Sequence, residues 1–171
     1  MTSQSVLNFM KQQGFEDESP SACANRFPGL GFQPRVVGIL VVAGIILRWP
    51  ALFLSLSGVL YWCAFLPSLN PFEAFYNAVI ASPSGGPLLG LAPAPRRFAQ
   101  GLAATFMLAV SLALWEGWLV TAYSVEALLV VAISAVLFGN FCLGAYLYHL
   151  LRGQASFANA TLPWARTSRG Q

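Results

Sequence analysis

The sequence predicts an all-α integral membrane protein with four transmembrane helices, arranged as two hairpins, plus one short interfacial amphipathic helix. Three observations predict it. Residues 127–151 run for 25 positions without a formal charge, and residues 98–115 form a second uncharged stretch. About 20 apolar residues are enough to cross a bilayer core. Only 9% of the residues are charged against 57% hydrophobic, and the mean hydropathy is +0.64. A soluble domain carries roughly 25% charged residues, so this chain has too little polar surface to face water on every side.

The 171 residues allow one domain. It divides into a polar N-terminal tail at 1–33, a membrane domain at 34–152 and a C-terminal tail at 153–171. The first 34 residues hold no apolar run of signal-peptide type. In the tail, Val6, Leu7 and Met10 make one apolar stripe of a short surface helix, which Glu16, Asp17, Glu18 and Pro20 then break. The composition predicts a flexible cytoplasmic tail.

Pro34 suits the first turn of a helix, where its missing N–H is no loss. From Val36 to Leu66 the chain is apolar except at Arg48-Trp49-Pro50. One helix of that length would extend roughly 46 Å at about 1.5 Å per residue, against a core of about 30 Å. Two spans are therefore expected, about 34–49 and 50–66. Pro50 starts the second, Trp49 sits at the interface and Arg48 reaches for water. A single kinked helix is the competing arrangement.

Asn70, Pro71 and Glu73 occupy the cap, first and third positions of a helix start. Phe72, Phe75, Tyr76, Val79 and Ile80 follow at spacings of three and four, with Glu73 and Asn77 on other faces. This predicts an amphipathic helix over about 70–80, lying in the membrane plane. A turn-rich loop then ends in Arg96-Arg97. The third span is expected at about 98–116 and the fourth at about 125–151, with Trp115, Trp118 and Tyr123 at the interface between them.

Basic residues set the orientation. Four spans place Lys11, Arg26, Arg35, Arg96, Arg97, Arg152, Arg166 and Arg169 on one side and only Arg48 on the other. An excess of Lys and Arg marks the cytoplasmic side, so both termini are expected there. The net charge of +3 fits lipid headgroups as a partner. No basic stripe interleaved with aromatic residues is present, and nucleic acid is not an expected partner.

Two stretches carry a family resemblance: Arg97-Phe98-Ala99-Gln100-Gly101, and Phe141-Cys142-Leu143-Gly144-Ala145-Tyr146-Leu147-Tyr148. With the Trp49-Pro50 turn and Asn70-Pro71-Phe72, they make residues 25–152 resemble a small bacterial membrane-protein family called domain of unknown function 4395. The resemblance implies a bacterial inner-type membrane, either the plasma membrane or one derived from it. That family typically shows Cys-x-Gly-Cys in its last helix, which implies redox or sulfur handling. Here Cys142 holds the first position and Ala145 the second, so no vicinal dithiol can form.

Cys142, Ala145, Tyr146 and His149 share one face of the expected fourth helix. His149 is the chain's only histidine. It is read as a hydrogen-bonded interface residue, with axial ligation of a porphyrin or chlorin pigment as the alternative cofactor role. Cys142 is read as a small buried hydrophobe, with a redox role as the alternative. Cys23, Cys63 and Cys142 are odd in number and widely spaced, which gives no disulfide framework. Glu116 and Glu126 are expected to be solvated at helix ends, and Asn140 to hydrogen-bond between helices. No catalytic residues are identified, and no metal site. Transport of polar solutes usually needs ionisable groups facing a cavity, and few are evident. The expected function is a non-catalytic accessory or structural subunit that packs against other membrane protein subunits and holds lipid or pigment. The alternative is a redox or sulfur-handling protein using Cys142 with a soluble partner.

Overall fold

The computed structural model describes residues 3–15 and 19–165. The acidic residues Glu16, Asp17 and Glu18, and the tail arginines Arg166 and Arg169, lie outside the described residues. Helices dominate, and no strand occurs among the described residues.

The described residues of the N-terminal tail form helices. Helix α1, Gln4–Gln12, starts where Ser3 caps the Val6 N–H, and Phe9 and Met10 are buried. Helix α2, Pro20–Leu30, is capped by Ser19 and leads through Gly31 into α3, Phe32–Leu47. What holds the tail is hydrogen bonding to segments far along the chain. Asn8 Nδ2 donates to the carbonyls of Leu162 and Ala165 at 2.8 and 2.9 Å, so α1 grips the C-terminal segment.

Arg48 then adopts the left-handed conformation at φ 47°, and the Trp49 N–H closes the turn on the Gly44 carbonyl at 3.1 Å. This is the helix-ending geometry that lets the chain reverse sharply. Pro50 stands in the first turn of α4, Pro50–Phe65. Asn70 caps α5, Pro71–Tyr76, by accepting from the N–H groups of Phe72 and Glu73. A π-helical turn at Asn77–Ala81 and the short α6, Ser82–Ser84, follow. Phe75, Val79 and Ile80 face outward from the bundle, and Glu73, on another face, is buried.

Helix α7, Ala94–Trp115, begins earlier than expected, so Arg96 and Arg97 belong to its first turns rather than to the loop. The expected fourth span at 125–151 is not one helix. It is α8, Leu119–Gly139, then a break, then α9, Leu143–Leu151. Asn140 makes the break at φ 50°, and the Phe141 N–H bonds back to the Ala135 carbonyl at 3.0 Å. Asparagine tolerates the left-handed region better than most residues. Asn140 therefore ends a helix, and its side chain makes the expected hydrogen bond to another helix, donating from Nδ2 to Ser5 Oγ of α1 at 3.2 Å. Helix α10, Ala155–Ala160, is the last among the described residues.

Among the described residues, three runs are long and apolar enough to cross a membrane: Ser21–Leu47, Ala94–Trp115 and Leu119–Gly139. The 16-residue Pro50–Phe65 is shorter. Helix α7 is central, packed against α4, α8 and α9, while α3 lies against α8 and α4. Their core joins Val41 of α3, Phe53 and Leu60 of α4, Met107 and Val110 of α7, and Leu129 of α8. A second cluster, around Met10, Cys23 and Leu30, sits under Leu89.

Candidate functional site

Charge and hydrogen bonding concentrate where α3, α5 and α7 meet. Arg96 is only 5% exposed, although it sits in the first turns of its helix. Its guanidinium lies 3.7 Å from Glu73 Oε1. It also donates from Nη2 to Gln33 Oε1 at 3.3 Å. Gln100, one turn further along α7, donates from Nε2 to the same oxygen at 2.9 Å. Three hydrogen bonds to one atom place Glu73: the side-chain oxygen of Asn70 accepts from the Phe72 and Glu73 N–H groups at 3.0 and 3.5 Å and from the Cys63 thiol at 3.4 Å. Burial raises the Glu73 carboxyl above its ordinary value, and Arg96 opposes that shift only in part. The adjacent Arg97 has a different task, donating from Nε to the Ala64 carbonyl at the end of α4, 2.7 Å away.

Beside this cluster lies a cavity of about 150 Å³. Its walls are apolar, formed by residues such as Val37, Leu60, Met107, Leu129 and Ile133. Its polar lining is limited to Gln13, Gln33, Arg96, Gln100 and Cys142. Arg96 and Met107 both line it, and eleven residues of helix at about 1.5 Å each separate them by roughly 16 Å. The cavity is therefore elongated, with its polar groups gathered towards one end.

Cys142 is buried at that end, immediately before α9. Its sulfur lies beside the Gly144 and Ala145 N–H groups and the Gln13 side chain, without a capping hydrogen bond to α9. Its own N–H donates to Gln12 Oε1 at 2.8 Å. Phe9, Ala145, Ala99 and Val136 pack around it. The position after Gly144 is Ala145, which is fully buried.

His149 is buried, 3% exposed. Nε2 lies 3.1 Å from the Gln12 carbonyl and Nδ1 lies 2.8 Å from the Gln154 side chain, with Phe157 and Tyr148 against the ring. A neutral imidazole donates from one nitrogen and accepts at the other. With Nε2–H on the carbonyl, Gln154 must present its amide NH₂ to Nδ1, an orientation that swaps its O and N atoms. Both nitrogens are thus occupied by protein, and the ring does not fit an axial ligand of a porphyrin or chlorin. Cys142 and His149 share a function all the same: both latch onto Gln12, one through its side chain and one through its backbone. No group of three or more His, Cys, Asp or Glu side chains suited to a metal occurs among the described residues.

Two acidic residues fare differently. Glu116 is exposed, while Glu126 is buried in α8, contrary to the solvated position expected of it, and Arg48 is its charged neighbour. The glutamines Gln12, Gln13 and Gln33 were not distinguished by sequence pattern. Their partners are far away in the chain, and no local spacing signals them.

An all-α chain with three helices of membrane-crossing length and apolarity, closed around a buried Arg–Glu pair, defines a class of small helical membrane-type protein. Within that class the chain belongs to the family described as Domain of unknown function (DUF4395), which matches residues 28–153, more than half of its length. No curated protein and no solved structure matches it.

Proposed function

We propose that the protein is a four-span accessory subunit of a bacterial inner-type membrane. It packs against other membrane protein subunits and holds an amphiphile in the cavity beside Arg96. Helices α3 and α4 form the first hairpin, and α7 and α8 form the second. Both termini lie in the cytoplasm, in keeping with eight basic residues on that side against Arg48 on the other. Helix α8 alone reaches about 32 Å at 1.5 Å per residue, enough for the core, which leaves α9 to pack at the cytoplasmic end with α1 and α10.

The observation that carries this reading is the cavity, apolar along its length and polar at one end. Ligand sites are usually concave and apolar with a few converging polar groups. An amphiphile matches that division. Extraction from native membranes in mild detergent, followed by native mass spectrometry, should find the chain in a larger complex and carrying a small apolar molecule. The Ala132→Phe variant, which fills the cavity from α8, should lose the molecule. A lone chain with nothing bound would overturn the proposal.

A second reading is favoured by the Cys142 sulfur, which faces two backbone N–H groups and lines the polar end of the cavity. In this reading Cys142 attacks a disulfide of a soluble partner. A new S–S bond forms, and the departing partner cysteine takes up the proton. Cys142→Ser should then abolish capture of the partner as a mixed disulfide on non-reducing gels. Unchanged capture would dispose of this reading.

A further inference from the structure

The polar end of the cavity restricts what kind of head can sit there. Arg96 invites an anion, but its charge is already met by Glu73 at 3.7 Å, and both side chains are at least 90% buried. A carboxylate or phosphate arriving there would leave a net negative charge in a place with little water, which is strongly disfavoured. The orphaned atom points the same way. Gln100 is 6% exposed and lines the cavity, and its Oε1 is buried without a hydrogen-bond partner. Its amide N–H₂ is committed to Gln33, so the group left over is an acceptor. A buried acceptor calls for a donor and repels an anion.

Size sets the tail. A dry cavity of about 150 Å³ is known to hold a single benzene ring. The space here is comparable, enough for about six carbons of one chain and too small for two acyl chains side by side, and it is open on one side, so the rest of a longer chain runs out of it.

We infer that the cavity takes a single-chain amphiphile with an uncharged hydroxyl head, the hydroxyl donating to Gln100 Oε1 while the chain lies along α7 toward Met107. This deepens the amphiphile-binding reading and rests on it. A hydroxyl head can come from a monoacylglycerol or from an isoprenoid alcohol, and the test separates them.

The full chain in lipid nanodiscs is titrated with 1-monolauroylglycerol, farnesol and laurate at about pH 7, with bound ligand read by native mass spectrometry. One or both hydroxyl compounds should bind about tenfold or more tightly than laurate, and whichever binds names the source. Gln100→Leu should erase that preference, and Ala132→Phe should abolish binding of all three. Laurate binding as well as the alcohols would overturn the head assignment while leaving the amphiphile reading intact. Failure of all three to bind the unaltered protein would overturn both. The comparison on the unaltered protein decides the charge claim even if Gln100→Leu folds poorly.

Discussion

Replacing Arg96 by methionine is expected to cost about 3–5 kcal/mol of stability, the usual penalty for stranding one partner of a buried ion pair. The variant keeps an apolar stem but leaves the Glu73 carboxylate without its cation and Gln33 Oε1 with Gln100 alone. The double variant Arg96→Met with Glu73→Met should recover most of the loss, because replacing a whole buried pair by apolar groups is often neutral. The single variant should also be less impaired in acid. With Arg96 gone, burial alone acts on Glu73 and raises its folded value further above that of the unfolded chain. Stability tied to the protonated carboxyl is then fully present below the unfolded value and is lost as the pH rises through the folded one. Unfolding followed by tryptophan fluorescence at about pH 4.5 and about pH 7.5 measures both effects. If the single variant melts with the unaltered protein at neutral pH, the pair is not the buried element described above.

Features set by neighbouring residues could be read from the chain, whereas those set by distant partners could not. The break at Arg48-Trp49-Pro50 was legible because a proline can start a helix but not continue one, and α4 indeed begins at Pro50. The Asn70 cap was legible for the same kind of local reason. The order of the N-terminal tail was not, since it depends on Asn8 meeting Leu162, and Gln12 meeting Cys142 and His149, across more than 100 residues. Hydropathy also passed over the break after α8, because a lone asparagine hardly lowers the mean of an apolar run. The signal was Gly139-Asn140, two residues that commonly end helices. Arg96 and Arg97 looked alike as loop arginines. Once both lie on one helix, successive residues point about 100° apart. One then enters the bundle, and the other reaches the end of α4.

The cysteine region should be most sensitive to Gly144. A Cβ built there would meet Ala99 Cα and Cβ at 2.7 Å each, closer than side-chain carbons approach in real proteins. The Ala99 Cα belongs to the backbone of α7 and cannot rotate away, so α9 itself must shift. Gly144→Ala is therefore expected to cost about 1–3 kcal/mol, the range for overpacking, and bulkier residues more. Adding Ala99→Gly should rescue only part of it, because that change removes the Ala99 methyl group while the backbone carbon behind it stays as close as before. Gly139→Ala is the matched control: nothing lies within 4 Å of its Cβ position, and alanine should be neutral or slightly stabilising there. A shift of α9 also draws the Gly144 and Ala145 N–H groups away from the Cys142 sulfur and loosens its packing on Phe9. Cys142 should accordingly react faster with a maleimide in Gly144→Ala than in the unaltered protein, and no faster in Gly139→Ala. Full rescue by Ala99→Gly, or equal labelling rates in all the variants, would contradict close backbone packing of α9 on α7 as the support of the thiol.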